Sequence, residues 1–480
     1  MAIIDVGKTN KKLFLFDQQY RIVWERTQTL AETIDEDGHP CEDLARLTHW
    51  TRTSVAEVLA LPQFLVRALN ISTYGASLVA IDAEGRSVGA LYNYLKPLPA
   101  GLREQFMTQY GPAEHLLLAT ASPMLDSLNA GLMLYRIKWT KPGLFRRIRY
   151  VLHLPQYLSY LFTGQPLADL TSLGCHTLLW DFKRQTYHEW VKTEGFVPLM
   201  CSLFPGDRTI PALFSPDNQA DQSLKVGVGL HDSSAALIPY LATFKEPFVL
   251  ISTGTWCISL NPFTVIGGSP QSLLTAEELQ YDCLCYLTYQ GKPVRASRLF
   301  AGHEHQQQTQ RLASHFGVSA DYYKQVNYDP AIIEQLANAH ALPARDAGMV
   351  PPAPMPSPHT SAFGGRNLTD FPDYETAYHQ LMREIMAGQL ISTTLVLPTG
   401  PNTAQPAITR IFVDGGFSQN PIYMNLLARA FPQTEVWAAR VAQATALGAA
   451  LAIHDDWNPL PRPSNLITLK RYVTSKPVPA

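Results

Sequence analysis

The sequence predicts an α/β protein of two large domains facing each other across a cleft, and three observations carry that expectation. At 480 residues the chain is several times the typical domain size, so two hydrophobic cores are expected. The opening residues alternate short apolar runs with turns: Ile3-Ile4, then Leu13-Phe14-Leu15-Phe16, then Ile22-Val23-Trp24. Runs of this kind, bounded by Gly, Asn and Asp, read as buried strands, and the helical stretch from Thr51 to Ala60 supplies cover for a mixed sheet. The third observation is that the unit returns. Phe248-Val249-Leu250-Ile251 runs into a Thr253-Gly254-Thr255 turn and a second strand, Cys257-Ile258-Ser259-Leu260. Two related units so placed are a weak internal repeat rather than a solenoid, and divide the chain into domains of residues 1–244 and 245–480.

The other elements follow in order. Residues 129–162 show helical periodicity, with Pro155 opening a new helix rather than breaking one. Ile411-Phe412-Val413-Asp414-Gly415-Gly416 is a strand ending in a glycine turn, after which Asn420 caps a helix begun by Pro421. Segments 345–373 and 398–407, rich in Pro, Gly, Ser, Thr and Asn, read as surface loops.

Composition excludes several classes. With 46% hydrophobic and 16% charged residues the chain folds rather than remaining disordered. Net charge is -2 and the longest basic cluster is Arg146-Arg147-Ile148-Arg149, so a nucleic-acid partner is not expected. No uncharged apolar stretch approaches the roughly 18 residues of a membrane span, and the start, Met1-Ala2-Ile3-Ile4-Asp5, lacks the pattern of a signal peptide. The six cysteines form no C-x-x-C pair and are read as reduced, which points to the cytoplasm. His303-Glu304-His305 lacks the spacing of a zinc helix and is read as a packing or solvated group.

The chemistry concentrates in the turns. In Asp5-Val6-Gly7-Lys8-Thr9, Gly7 lets the backbone approach a phosphate, the Thr9 hydroxyl adds a donor, and Asp5 can hold magnesium through water. A plain hairpin turn explains so short a pattern equally well. A P-loop would need glycine where Ala2 stands, and a dinucleotide fingerprint starting at Gly227 would need glycine at Asp232, so neither applies. Gly254 and Thr255 offer donors from the second domain, and the two hairpins could clamp one polyphosphate. Gly415 and Gly416, with Ser418 and Asn420 behind them, make a small-residue surface on which a flat adenine can lie.

Taken in order, these segments resemble the FGGY carbohydrate kinases over nearly the whole chain. Asp5 to Lys12 is similar to that family's first phosphate motif, Gly229-Leu230-His231-Asp232-Ser233-Ser234-Ala235-Ala236 to its base segment, and Ile251 to Thr255 to its second phosphate motif. Asp414 to Asn420 and Ala444 to Ala450 resemble its adenosine motif and the following helix. The resemblance implies an actin- and hexokinase-like (ribonuclease H-like) two-domain fold with an interdomain cleft. It also implies ATP and Mg²⁺ as cofactors and a small-molecule sugar as substrate, and it leaves a homodimer open. Asp232 would be the catalytic base, and Asp5 the magnesium-organising carboxylate. Gly7, Thr9, Asn10, Lys12, Gly254 and Thr255 would hold phosphates, and Gly415, Gly416, Ser418 and Asn420 the adenosine. Tyr74, Gly75, Ala76, Tyr92, His231 and Asp232 would meet the sugar.

Within the family the stretch from Leu125 to Lys138 resembles rhamnulokinases, which implies a 6-deoxyketohexose such as L-rhamnulose or L-fuculose, with a pentulose such as D-xylulose or L-ribulose as the alternative. Three departures bear on the substrate end. Tyr92-Asn93-Tyr94-Leu95-Lys96 stands where members commonly show an aromatic, an aspartate and an arginine; Ser77 stands where rhamnulokinases have aspartate; Gln443 stands where glutamate is frequent. Two other classes remain: an actin- or Hsp70-like ATPase, and a silent sugar-sensing relative, which would be expected to lose Asp5 or Asp232. For Asp232 alone, capping the helix that starts at Ser233 is the plainer role. Its place between two phosphate motifs favours the base.

Overall fold

The computed structural model describes residues 1–111, 113–213, 224–263, 273–339, 362–397, 406–441 and 443–473. Two seven-stranded mixed sheets form its frame. In the first half the site is positioned by β1 (Ala2–Val6), β2 (Asn10–Phe16), β3 (Ile22–Thr29), α1 (Leu44–Leu59), β4 (Ala68–Thr73), β5 (Leu78–Ile81), α2 (Ala130–Thr140), β6 (Tyr150–His153), α3 (Leu154–Thr163), β7 (Thr209–Pro211), β8 (Lys225–Gly227), β9 (Leu230–His231) and α4 (Asp232–Thr243). In the second half it is positioned by β10 (Phe248–Thr253), β11 (Cys257–Asn261), β12 (Cys283–Leu287), β13 (Pro293–Leu299), α5 (Ala301–Phe316), α6 (Tyr374–Thr394), β14 (Arg410–Gly415), α7 (Pro421–Ala430), β15 (Glu435–Arg440), α8 (Ala444–Ala452) and β16 (Thr468–Tyr472).

The first sheet runs β7-β8-β4-β1-β2-β3, with β9 also pairing β4, and the second runs β12-β13-β11-β10-β14-β15-β16. Each is built on an antiparallel hairpin, β1-β2 or β10-β11, whose first strand pairs in parallel with a later one, β4 or β14. The repeat read from the sequence is therefore a repeat of topology. It puts one glycine turn of each half at the same end of its sheet, facing the cleft.

The alternation of β2 explains the division of its side chains. Leu13 and Leu15 enter one core, while Phe14 and Phe16 enter a second that also holds Phe248, Leu250, Ala235, Ala449 and Leu451. That second core is shared by both halves. α4 and α8 pack on each other within it, and Asn70 of β4 donates from Nδ2 to the Ala449 carbonyl at 2.8 Å. A third core, under α5, α6 and α7, belongs to the second half.

Two sequence expectations are corrected. The helical stretch 129–162 is interrupted by β6, because Val151 and Leu152 are buried in antiparallel pairing with β5; the helix expected at Pro155 does begin, with the proline in its first turn. The helix expected from Thr51 starts earlier, at Leu44, where the Asp43 carboxylate accepts the Arg46 amide at 3.0 Å. The Asn420 cap is as expected: its Oδ1 accepts from the amides of Ile422 and Tyr423. Of the two surface loops expected from composition, 345–361 and 398–405 lie outside the described residues.

Candidate active site

Asp232 is the first residue of α4, and β9 delivers it beside β4, whose neighbour β1 carries Asp5. Its side chain is one-third exposed, and Oδ1 accepts from the Ser233 amide at 2.6 Å. The helix-capping role considered from sequence is not what the structure shows: the helix starts at Asp232 itself, His231 holds the cap position, and within α4 the Asp232 side chain bonds only the first-turn residue Ser233. Behind it His231 is buried, with Nε2 3.1 Å from Asp232 Oδ1 and 3.2 Å from Cys175 Sγ, and its amide donates to Thr171 Oγ1 at 2.9 Å. Burial opposes charge on this ring, but Cys175 and Asp232 beside it hold its pKa up, to about 10.

Asp5, next to last in β1, is drawn into the same site. Burial and the nearby Asp232 raise its pKa to about 7, partly offset by Lys12 and by a hydrogen bond from Thr445 Oγ1 to Asp5 Oδ2 at 3.3 Å. Asp5 and Asp232 are neighbouring carboxylates, and a hard dication organised by Asp5, as the resemblance implies, would relieve their repulsion. Among the described residues no cluster of three or more His, Cys, Asp or Glu could hold a metal ion.

The phosphate residues expected from sequence fall on two turns. Thr9 and Asn10 are exposed at the β1-β2 turn, where the Gly7 amide donates to the Asn10 carbonyl at 2.9 Å. Lys12 reaches across to the second half, donating to Gln443 Oε1 at 3.2 Å, so the glutamine at that departure retains an acceptor for it. Gly254 and Thr255 are exposed at the β10-β11 turn. Thr253 ties that turn to the next: its hydroxyl donates to the Asp414 carbonyl at 2.5 Å and accepts the Phe417 amide at 3.0 Å.

A cleft of about 440 Å³ opens in the second half beside the β10-β11 turn, lined by Gly254, Gly302, His305, Gly416, Phe417 and Asn420 among others. Gly415 and Gly416 are exposed at its edge, but Ser418 is buried and its hydroxyl is spent on the Gly415 carbonyl at 2.8 Å. The Asn420 side chain is engaged as well, capping α7 and donating from Nδ2 to the Tyr378 hydroxyl at 2.7 Å. Both shape the cleft instead of offering it free polar groups. His305, which sequence reasoning assigned to packing, does pack against Tyr323, Tyr378 and Phe417, yet it also lines the cleft. Burial pushes its pKa down to about 4, so it is neutral there. No local pattern signals this second role, because the wall it joins is assembled from the β10-β11 turn, Tyr323 and Lys324, and the turn before α7.

At the expected sugar end, Tyr74, Gly75, Ala76 and His231 do converge, around a cavity of only about 10 Å³. That is room for one water, not for a sugar. Tyr92 is not among them. Its hydroxyl donates to Glu36 and Lys96 lies over its ring at 4.7 Å, which places it in a network of Asp35, Asp37, Lys96, Arg136 and Lys141. Tyr94 is the residue that meets Tyr74, edge to face at 5.9 Å, and the charge of Asp232 contributes to raising its pKa after burial. The residues resembling rhamnulokinases are largely scaffold. Asn129 Nδ2 donates to the His176 carbonyl at 2.8 Å, Arg136 to Asp37 at 2.8 Å and Lys138 to Glu194 at 2.6 Å. All six cysteines are free and buried. Among the described residues no helix is long and apolar enough to cross a membrane.

Comparison with known proteins bears directly on these two halves. Residues 1–194 match the N-terminal domain of the FGGY family of carbohydrate kinases and residues 304–453 its C-terminal domain, together more than two-thirds of the chain. An L-fuculokinase of Salmonella typhi is 25% identical over 271 residues, 53% of this chain and 55% of that protein. A rhamnulokinase of Halalkalibacterium halodurans is 22% identical over 263 residues, 53% of this chain and 54% of that one. The chain thus spans about half the length of the curated relatives it matches. A solved carbohydrate kinase from Novosphingobium aromaticivorans shares the fold, with a TM-score of 0.74 over 99% of this chain and 96% of that one at 21% identity. The chain belongs to the FGGY family of carbohydrate kinases.

Proposed function

We propose that the protein transfers the γ-phosphoryl group of ATP to a hydroxyl of a ketose, with Asp232 as the general base. The observation that carries this reading is the position of Asp232. It stands at the start of a helix between two glycine turns from opposite halves, partly exposed, backed by His231 and faced by Asp5. Phosphoryl transfer of this kind is mostly positioning and charge stabilisation, because the transition state is loose and its charge lies on the phosphoryl oxygens. In this chain the turn amides and Lys12 hold the phosphates, and Asp232 takes the proton of the attacking hydroxyl. Magnesium, when bound, neutralises charge on the β- and γ-phosphate oxygens. The cleft at Gly254, Gly416 and Phe417 takes the nucleoside.

For the sugar, a 6-deoxyketohexose such as L-rhamnulose or L-fuculose is favoured by the resemblance at Leu125–Lys138 and by the kinases named above. Its methyl end would lie against the Tyr74–Tyr94 pair, outside the small cavity at Gly75 and His231. Burying one methyl is worth only about 1 to 3 kcal/mol in discrimination, so pentuloses would react more slowly rather than be refused. A coupled ADP-release assay across ketopentoses, ketohexoses and deoxyketohexoses tests both levels. Turnover that requires a ketose supports the kinase. ATP hydrolysis indifferent to every sugar supports an actin-like ATPase, and a higher kcat/KM for D-xylulose or L-ribulose removes the deoxyhexulose assignment.

A further inference from the structure

Lys11 occupies a core-facing position of β2, on the side where Leu13 and Leu15 enter the apolar interior, and its side chain is 1% exposed. A buried ammonium is costly unless fully partnered, so its partners show what it does. Its Nζ lies 2.6 Å from Glu42 Oε1 and donates to the carbonyls of Gly7 at 3.3 Å and Lys8 at 3.1 Å. Glu42 is also buried, and its other oxygen accepts from the Tyr74 hydroxyl at 3.3 Å.

In a planar trans peptide the carbonyl and the amide hydrogen point in opposite directions. Drawing the Gly7 and Lys8 carbonyls inward to Lys11 therefore turns the amides of Lys8 and Thr9 outward, away from the core. We propose that Lys11 is a positioning residue that aims these two amides at the nucleotide phosphates, and that Glu42 links this aim to Tyr74 on the sugar side. The linkage rests on the kinase reading above; the anchoring of the turn does not. One buried carboxylate thus serves both ends of the site, and a sugar that settles Tyr74 settles the phosphate turn with it.

The test uses the full-length protein and AMP-PNP with Mg²⁺ as the nucleotide probe. Lys11→Met should weaken AMP-PNP binding about tenfold or more by calorimetry, as loss of aimed donors to charged oxygens does, and should speed hydrogen exchange across residues 7–10 in the ligand-free protein. The double variant Lys11→Met/Glu42→Leu removes both buried charges and so guards against loss of the fold. It should bind AMP-PNP as weakly as the single variant. Binding equal to wild type in the double variant, or unchanged exchange across 7–10 in both, overturns the anchor. Tyr74→Phe should reduce, about threefold or more, the factor by which L-fuculose tightens AMP-PNP binding. An unreduced factor, or a wild-type protein that turns over L-fuculose without any such tightening, overturns the linkage. A protein that consumes no ATP with any ketose sinks the kinase reading and the linkage together, while the exchange measurement still decides the anchor.

Discussion

Gly448 in α8 lies directly against the backbone of Ala235 in α4, so closely that a Cβ on Gly448 would stand 1.8 Å from the Ala235 carbonyl oxygen. The contact matters because α4 begins with Asp232 and α8 carries Thr445, the partner of Asp5. The spacing of these two helices is therefore the spacing of the candidate site. Gly448→Ala should force them apart, costing about 1 to 3 kcal/mol of stability as overpacking does, and should lower turnover more than it lowers nucleotide affinity. Chemical unfolding beside ADP-release kinetics measures both. A variant equal to wild type in each would show that the helix spacing is not critical.

Asp232→Asn keeps the size of the side chain and its hydrogen bond at the start of α4 but removes the proton acceptor. Turnover should fall about 10²- to 10⁴-fold, the usual contribution of a general base, with AMP-PNP affinity within about twofold by calorimetry. Near-normal turnover would take Asp232 out of the mechanism.

The pKa of Asp5, raised to about 7 from an ordinary value of 3.8, makes a prediction about stability and pH in metal-free buffer. Between these values the native protein holds a proton that the unfolded chain has released, so stability falls as pH rises through that interval. The contribution is whole below pH 3.8 and lost above about 7. Asp5→Asn removes the charged form, so its Tm relative to wild type should be higher at pH 8 than at pH 5, while ADP release is lost. Scanning calorimetry in EDTA at the two pH values checks the sign. An equal difference at both would mean that Asp5 titrates normally.

Around Gly416 a Cβ would meet nothing within 4 Å, whereas at the adjacent Gly415 it would stand 1.9 Å from the Thr253 carbonyl oxygen. Only a ligand would object to a side chain at Gly416. Gly416→Val should fold normally and raise the apparent KM for ATP about tenfold or more while leaving that for sugar nearly unchanged, since the valine enters the nucleoside cleft. The opposite pattern in steady-state kinetics would put the nucleoside elsewhere.

Much of this protein is legible along the chain because its cause is local. The two hairpins follow from alternating apolar runs and glycine turns, and the start of α7 follows from Asn420 capping and Pro421 opening it. The place of Asp232 follows from the order of short motifs. Strand β6 was not legible: Val151 and Leu152 sit between two helical stretches, and only pairing with β5, some seventy residues earlier, makes them a strand.

What only the tertiary structure decided are the contacts between distant residues. Lys12 meets Gln443 and Asp5 meets Thr445 across 431 and 440 positions of sequence, and no periodicity reports such a meeting. The structure also separated two tyrosines that look equivalent in Tyr92-Asn93-Tyr94: the first is turned to Glu36 and a charge network, the second to Tyr74 and the charge of Asp232. Likewise Lys11 and Lys12 are neighbours with opposite fates, one in the core and one toward the cleft, because successive side chains of a strand leave on opposite faces. The sequence by itself determined where the glycine turns fall, at Gly7 and at Gly254. The packing of α8 on α4, with glycine at the contact, determined that they meet.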